Sequence, residues 1–146
     1  RIMLQELLRN HLLINALLAW ATAQILKFII YLAVNRTLDW NRLLGDGGMP
    51  SGHSATVTAL AVTAGIEYGC DSPVFAVCVV LAIIVMHDAM GVRMEAGKHA
   101  KAINELLETL SSDKEPDLKL KEFLGHTPMQ VCCGAVLGLA LALIFG

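Results

Sequence analysis

The sequence predicts an all-α integral membrane helical bundle, with about four transmembrane helices plus one or two interfacial amphipathic helices, in a single domain over residues 1–146. Three observations carry that prediction. Hydrophobic residues make up 55% of the chain and its mean hydropathy is +0.60, above the usual range of a soluble domain. The apolar residues are gathered into long runs separated by turn signals. The one extended polar region, residues 87–128, keeps a helical period in its apolar positions.

Residues 1–10 read as a short amphipathic lead-in. Residues 12–34 are apolar except for Asn15, Thr22, Gln24 and Lys27, and match the roughly 20 residues needed to cross a bilayer. Residues 35–50 are polar and Gly-rich, a loop. Pro50 suits the approach to a new helix, and Ser51 is the expected N-cap of the apolar run over 54–68. Gly69 is placed as its C′ residue. Ser72 and Pro73 open the third run, 74–86. The second and third runs are short for independent spans and also fit buried helices of a soluble bundle.

Thr127, Pro128 and Gln130 form a capping-box pattern with Pro at the first helical position. The fourth run, 129–145, follows it nearly free of charge and argues for a membrane. Gly134 and Gly138 fit close helix packing within the bundle or between protomers of a homo-oligomer. In the polar region Ala96, Ala100, Ile103, Leu106, Leu107 and Leu110 recur at helical spacing, predicting an amphipathic helix over 94–110. A loop over 111–116 and a brief helix over 117–124, stopped by Gly125, complete the reading.

Charge and cysteines narrow the function classes. A formal charge of −2 gives no electrostatic case for nucleic acid. Cys70, Cys78, Cys132 and Cys133 form no C-x-x-C pair and read as reduced packing residues, with no metal site, cofactor or disulfide frame implied. With Arg1 rather than Met at the start, a preceding segment is expected, and no cleavable signal pattern remains to judge.

If four spans alternate in direction, the second and fourth begin on one face, placing His53 and His126 at helix N-termini there. The third ends on that face with His87, Asp88 and Arg93, and the first brings Lys27 toward Arg36 and Arg42. Helix N-termini offer backbone N–H groups to an anion. An arginine offers a planar fork for phosphate oxygens and a lysine a point charge. With two imidazoles, one to attack phosphorus and one to protonate the leaving oxygen, this set suits a tetrahedral phosphate without a metal. His11, His87 and His99 lack partners at ligand spacing and read as interfacial or solvated. Arg36, Arg42, Arg93, Lys98, Lys101, Lys114, Lys119 and Lys121 crowd the site side against Arg1 and Arg9 on the other. The positive-inside rule then directs the site to the cytoplasm or an equivalent organelle compartment, from a bacterial inner or organelle membrane.

Pro50-Ser51-Gly52-His53, in the longer run from Gly47 to Ala55, resembles the second signature of the type-2 phosphatidic acid phosphatase superfamily, lipid phosphatases related to vanadium haloperoxidases. Gly125-His126-Thr127-Pro128, with Gly134 and Gly138 after it, resembles the end of its third signature. Gln24 to Lys27 and Asp88 to Arg93, then Ala96-Gly97 and Asn104, resemble motifs of a divergent, membrane-embedded branch. The resemblance implies a metal-independent phosphatase for a phosphomonoester or pyrophosphate on a lipid, with membrane lipids around it. It implies His126 as the nucleophile that forms a phosphohistidine and His53 as the leaving-group acid. Ser51 and the Gly52 N–H would bind phosphate, Lys27 and Arg93 would clamp it, and Asp88 or Glu122 would steady His126.

The sequence departs from the pattern in three places. Leu120 stands six residues before His126, where the superfamily has Arg. Gln130 stands four residues after it, where the superfamily has Asp. Lys27 and Arg36 are spaced more widely than the first signature's cations. The alternative these departures support is a non-catalytic binder or transporter of lipid phosphates, and a vanadate-dependent haloperoxidase is a third reading.

Overall fold

The computed structural model describes residues 2–37, 48–110, 120 and 125–146. All regular structure among them is helical: α1 (Ile2–Leu8), α2 (His11–Asn35), α3 (Gly52–Tyr68), α4 (Pro73–Met90), α5 (Val92–Leu110) and α6 (Pro128–Phe145). The predicted loop over 111–116 and brief helix over 117–124 lie outside the described residues except at Leu120, as does most of the loop after α2.

The helix ends follow from the local signals. Asn10 caps α2, Ser51 caps α3, Ser72 caps α4 with Pro73 behind it, and Thr127 caps α6. In each, the side-chain oxygen accepts from a backbone N–H in the first turn that has no helical partner. The capping box at α6 is complete, with the Gln130 side chain returning to the Thr127 N–H. Gly69 ends α3 at φ +86°, a conformation that favours glycine. α4 reaches four residues beyond the predicted end of its apolar run, and α5 continues from it after Gly91.

α3 is the centre of the bundle, packed against α2, α4 and α6. Its contacts are made by small side chains: Ala55 and Ala59 join Ala19 and Ala23 of α2 and Ala142 of α6 in one fully buried cluster. Large apolar side chains point outward instead. Val77 is 67% exposed, Ile84 59% and Val136 66%. A water-soluble bundle would bury these residues; helices in lipid gain nothing by doing so and associate through small residues that let backbones approach. This small-inside, large-outside order supports the membrane reading independently of composition.

Among the described residues, three stretches are long and apolar enough to span a membrane: α2, the run from Pro73 to Thr109 that holds α4 and most of α5, and α6. α3, predicted as a further span, is not among them. At 17 residues it is about 25 Å long, and it carries Thr56, Thr58 and Thr63. Neighbours cover it on three sides, so lipid does not dictate its composition.

Two glycines set the closest approach. A Cβ on Gly134 would collide with the Ser51 carbonyl oxygen, and one on Gly138 with that of Ala55. The Gly134–Gly138 spacing therefore serves packing of α6 on α3 within the chain. Gly138→Ala is expected to destabilise the protein by about 1–3 kcal/mol, since the backbone of α3 cannot yield as a side-chain tip can. A thermal melt in detergent reads this as a lowered Tm, and an unchanged Tm would show that the two helices separate without cost.

Polar groups close the end of the α2–α3 pair remote from the predicted site. Asn15 Nδ2 donates to Thr63 Oγ1 at 3.2 Å, both buried. His11 Nδ1 lies 2.8 Å from Glu67 Oε1, so His11, expected as an interfacial or solvated residue, also has a carboxylate partner. The antiparallel pairing of α2 with α3 creates that contact across 56 residues of sequence. All four cysteines are free, but only Cys78 is buried; Cys70, Cys132 and Cys133 lie on the surface rather than packing inside. On α5, Ala100 and Asn104 are buried while Ile103 and Leu106 stay outward. An apolar stripe turned away from the bundle is the arrangement of an interfacial helix.

Candidate phosphate site at converging helix ends

Three contacts bring the helix ends together. The Ser51 N–H at the start of α3 donates to the Gln130 carbonyl in the first turn of α6 at 3.1 Å. The His126 N–H donates to the Ala89 carbonyl at the end of α4 at 2.9 Å. The Lys27 stem on α2 lies against Gly48, 3.3 Å from where a Cβ there would stand. The face that span alternation predicted is thus assembled from α2, α3, α4 and α6.

On that face His53 and His126 meet directly. Their rings are T-shaped, with centroids 5.8 Å apart and planes at 76°. His53 is the second residue of α3, and His126 is 3% exposed just before the α6 cap. Their separation of 73 residues in sequence is bridged because the Ser51–Gln130 bond aligns the two N-termini. An anion held there would face backbone N–H groups from both helices and imidazoles from two sides.

Ser51 is completely buried. Its Oγ accepts from the Ser54 N–H at 3.3 Å and from the Ser54 hydroxyl at 3.1 Å, which leaves its own O–H to donate. Ser54 had no predicted role; its position three residues after the cap is the signal that marks it. Lys27 is 8% exposed, so it is drawn inside rather than extended to the headgroups. It also lines a cavity of about 200 Å³ with Ile30, Tyr31, Val34, Gly48 and Met49.

Asp88 and Arg93 lie at the edge of this assembly. The Arg93 Nε donates to Asp88 Oδ2 at 3.1 Å, and both side chains are about half exposed. A Cβ on Gly125 would strike the backbone of Arg93 and Met94, so the residue before His126 packs directly on the start of α5. The backbone of Arg93 is therefore beside the histidine loop, while its side chain is engaged by Asp88. Asp88, which the resemblance offers to steady His126, has Arg93 as its partner here. Gln130 uses its side chain on the Thr127 N–H at 3.0 Å, a cap.

Leu120, the position where the superfamily has Arg, is held through its backbone. Asn104 donates to the Leu120 carbonyl at 2.8 Å and accepts its N–H at 2.9 Å. This two-way clasp ties α5 to the segment leading into His126, and only a long-range contact reveals it. Glu122 and Arg42 lie outside the described residues. Among the described residues, no group of three His, Cys, Asp or Glu stands together as a metal site.

These features define a helical membrane protein with paired histidines at converging helix N-termini. The chain belongs to the Divergent PAP2 family, whose model matches residues 8–141. It is 42% identical over 151 residues to the "Uncharacterized membrane protein YuiD" of Bacillus subtilis (strain 168), covering 95% of this chain and 96% of that protein. No solved structure matches it.

Proposed function

We propose that the protein is a metal-independent lipid phosphate phosphatase acting on a phosphomonoester or pyrophosphate through a phosphohistidine on His126. The observation that carries this reading is the contact of His53 with His126 between two helix N-termini. A nucleophile, a proton donor and an anion-binding backbone are then available together. His126 attacks phosphorus, the bond to the lipid oxygen breaks, and the His53 imidazolium gives its proton to that oxygen. Neutral His53 then takes a proton from water, whose oxygen attacks the phosphohistidine and releases inorganic phosphate. Ser51, the Gly52 N–H and Lys27 bind the transferring group, and Arg93 joins them from its place beside Asp88.

A lipid substrate follows from the site's location at the ends of apolar helices, at headgroup depth. The cation excess on that face orients the site to the cytoplasm or its equivalent. The second reading, a binder or transporter without turnover, draws on Gln130 being a cap and Asp88 being paired to Arg93.

The test is phosphate release by the purified protein in detergent, with EDTA present, over a panel of lipid phosphomonoesters and pyrophosphates. Release that persists in EDTA is expected. Activity lost with EDTA and restored by a divalent cation would overturn the metal-independent mechanism. A folded protein that binds phosphate and hydrolyses none of the panel would put the binder first.

A further inference from the structure

We propose that Gln24 is a specificity residue of this anion site: its amide oxygen accepts a hydrogen bond from a hydroxyl on the bound phosphoryl group. The site would then select a phosphate oxyanion that keeps a P–OH, inorganic phosphate or a monoanionic phosphomonoester, over oxyanions that carry none. The inference rests on the phosphate-binding reading above and adds to it a residue and a chemical criterion.

Gln24 lies on α2, one turn before Lys27, in an otherwise apolar run. It is 9% exposed, and its Oε1 is buried with no hydrogen-bond partner among the described residues. That oxygen is 3.8 Å from where a Cβ on Gly52 would stand, beside the first residue of α3. The nearest heavy atom to that Cβ position is Trp20 Cδ1 at 3.5 Å, an ordinary contact distance. Packing therefore does not demand glycine at 52; its absence of a side chain leaves backbone bare next to the Gln24 amide.

A buried acceptor without a donor is uncommon, because its hydration is lost with nothing in return. The groups gathered around the proposed anion position, helix N–H groups, Lys27 and the Ser51 hydroxyl, are donors suited to ionised oxygens. An acceptor in that company complements an oxyanion only where the ligand itself presents an O–H. Inorganic phosphate near neutral pH always carries at least one, and a phosphomonoester carries one in its monoanionic form, its second ionisation falling at about pH 6. Sulfate and phosphodiesters are fully ionised there and carry none. A site that pairs with a ligand hydroxyl discriminates strongly against the analogue lacking it, since its own acceptor is then left buried and unmatched.

The test is calorimetric binding of inorganic phosphate and of sulfate to the full chain in detergent micelles at neutral pH. Wild type is compared with Gln24→Met and Gln24→Leu, which keep the approximate volume and remove the acceptor. Wild type is expected to bind phosphate at least about tenfold more tightly than sulfate. In the variants phosphate affinity falls to the level of sulfate, while sulfate affinity holds or rises. A phosphate-to-sulfate ratio unchanged in folded variants would overturn the proposal. So would wild type binding sulfate as well as phosphate, because the amide would then be presenting its NH2 instead. Competition by dimethyl phosphate, which has the charge of dihydrogen phosphate but no P–OH, decides the matter in wild type alone if the variants do not fold. Dimethyl phosphate displacing phosphate at equal concentration would refute the assignment. Wild type binding neither phosphate nor sulfate would remove the phosphate site itself, an outcome distinct from bound anions without discrimination.

Discussion

His126→Ala is expected to lower EDTA-resistant phosphate release at least about 1,000-fold, the scale of removing a nucleophile that acts as a unit with its partner. The expectation follows from position. His126 is enclosed, its backbone N–H anchored to Ala89, and its ring set against His53. Alanine keeps the backbone bond and the Thr127 cap, so loss of activity without a large fall in Tm isolates the imidazole. A wild-type reaction quenched in alkali should retain label from a radiophosphorylated lipid on the protein, and acid should remove it, as for a phosphoramidate. The variant should retain none. Activity surviving His126→Ala would sink the phosphohistidine mechanism, whatever the substrate.

His53→Gln should cost about 100- to 10,000-fold with an alkyl phosphate substrate, the usual contribution of general acid–base catalysis. The defect should shrink when the leaving group is a nitrophenol, which departs without a proton. That contrast separates an acid from a residue that only supports the fold, because misfolding would penalise both substrates alike. His53 is the second residue of α3 and points to His126 across helix ends rather than into the alanine core. Glutamine at that position leaves the Ser51 cap untouched. An equal loss with both leaving groups would reassign His53 to phosphate binding or to orientation of His126.

Family membership and the membrane bundle stand on a match over residues 8–141, a relative of 42% identity and the outward display of large apolar side chains. Turnover stands on chemistry that the paired histidines make available. Gln130 illustrates the difference: the superfamily's Asp position is retained in register, but its side chain has become half of a capping box. A carboxylate that stabilises an imidazolium cannot be replaced in kind by a neutral amide. In the phosphatase reading, positive charge on His126 is stabilised by the bound phosphate and by the carbonyl end of α4 beside it.

Much of the fold was legible because its signals are local. Ser51, Ser72 and Thr127 were identifiable as caps because each satisfies a backbone N–H three residues away. The convergence of His53, His126 and the end of α4 was legible from alternation of apolar runs, which requires only that consecutive helices reverse direction. Choices between competing partners were not legible. Gly134 and Gly138 fit a contact with another copy equally well until the Ser51 and Ala55 carbonyls occupied the space beside them. His11 had no sequence neighbour to pair with, and acquired Glu67 through the antiparallel register of α2 and α3. Asp88 had both Arg93 and His126 within plausible reach, and the bend at Gly91 gave it Arg93.

The sequence by itself determined the class, the capped starts of α3, α4 and α6, and the end of the bundle to which those helices bring their polar residues, since hydropathy, capping and chain reversal act over a few residues or a whole segment. Only the tertiary structure decided that α3 is the enclosed centre, that the two imidazole rings touch, that Lys27 is drawn inward against Gly48, and that Gln24 faces the start of α3. Those outcomes depend on the rotation and register of one helix against another. Small residues set both by how closely they let backbones approach, and that distance is a property of the pair.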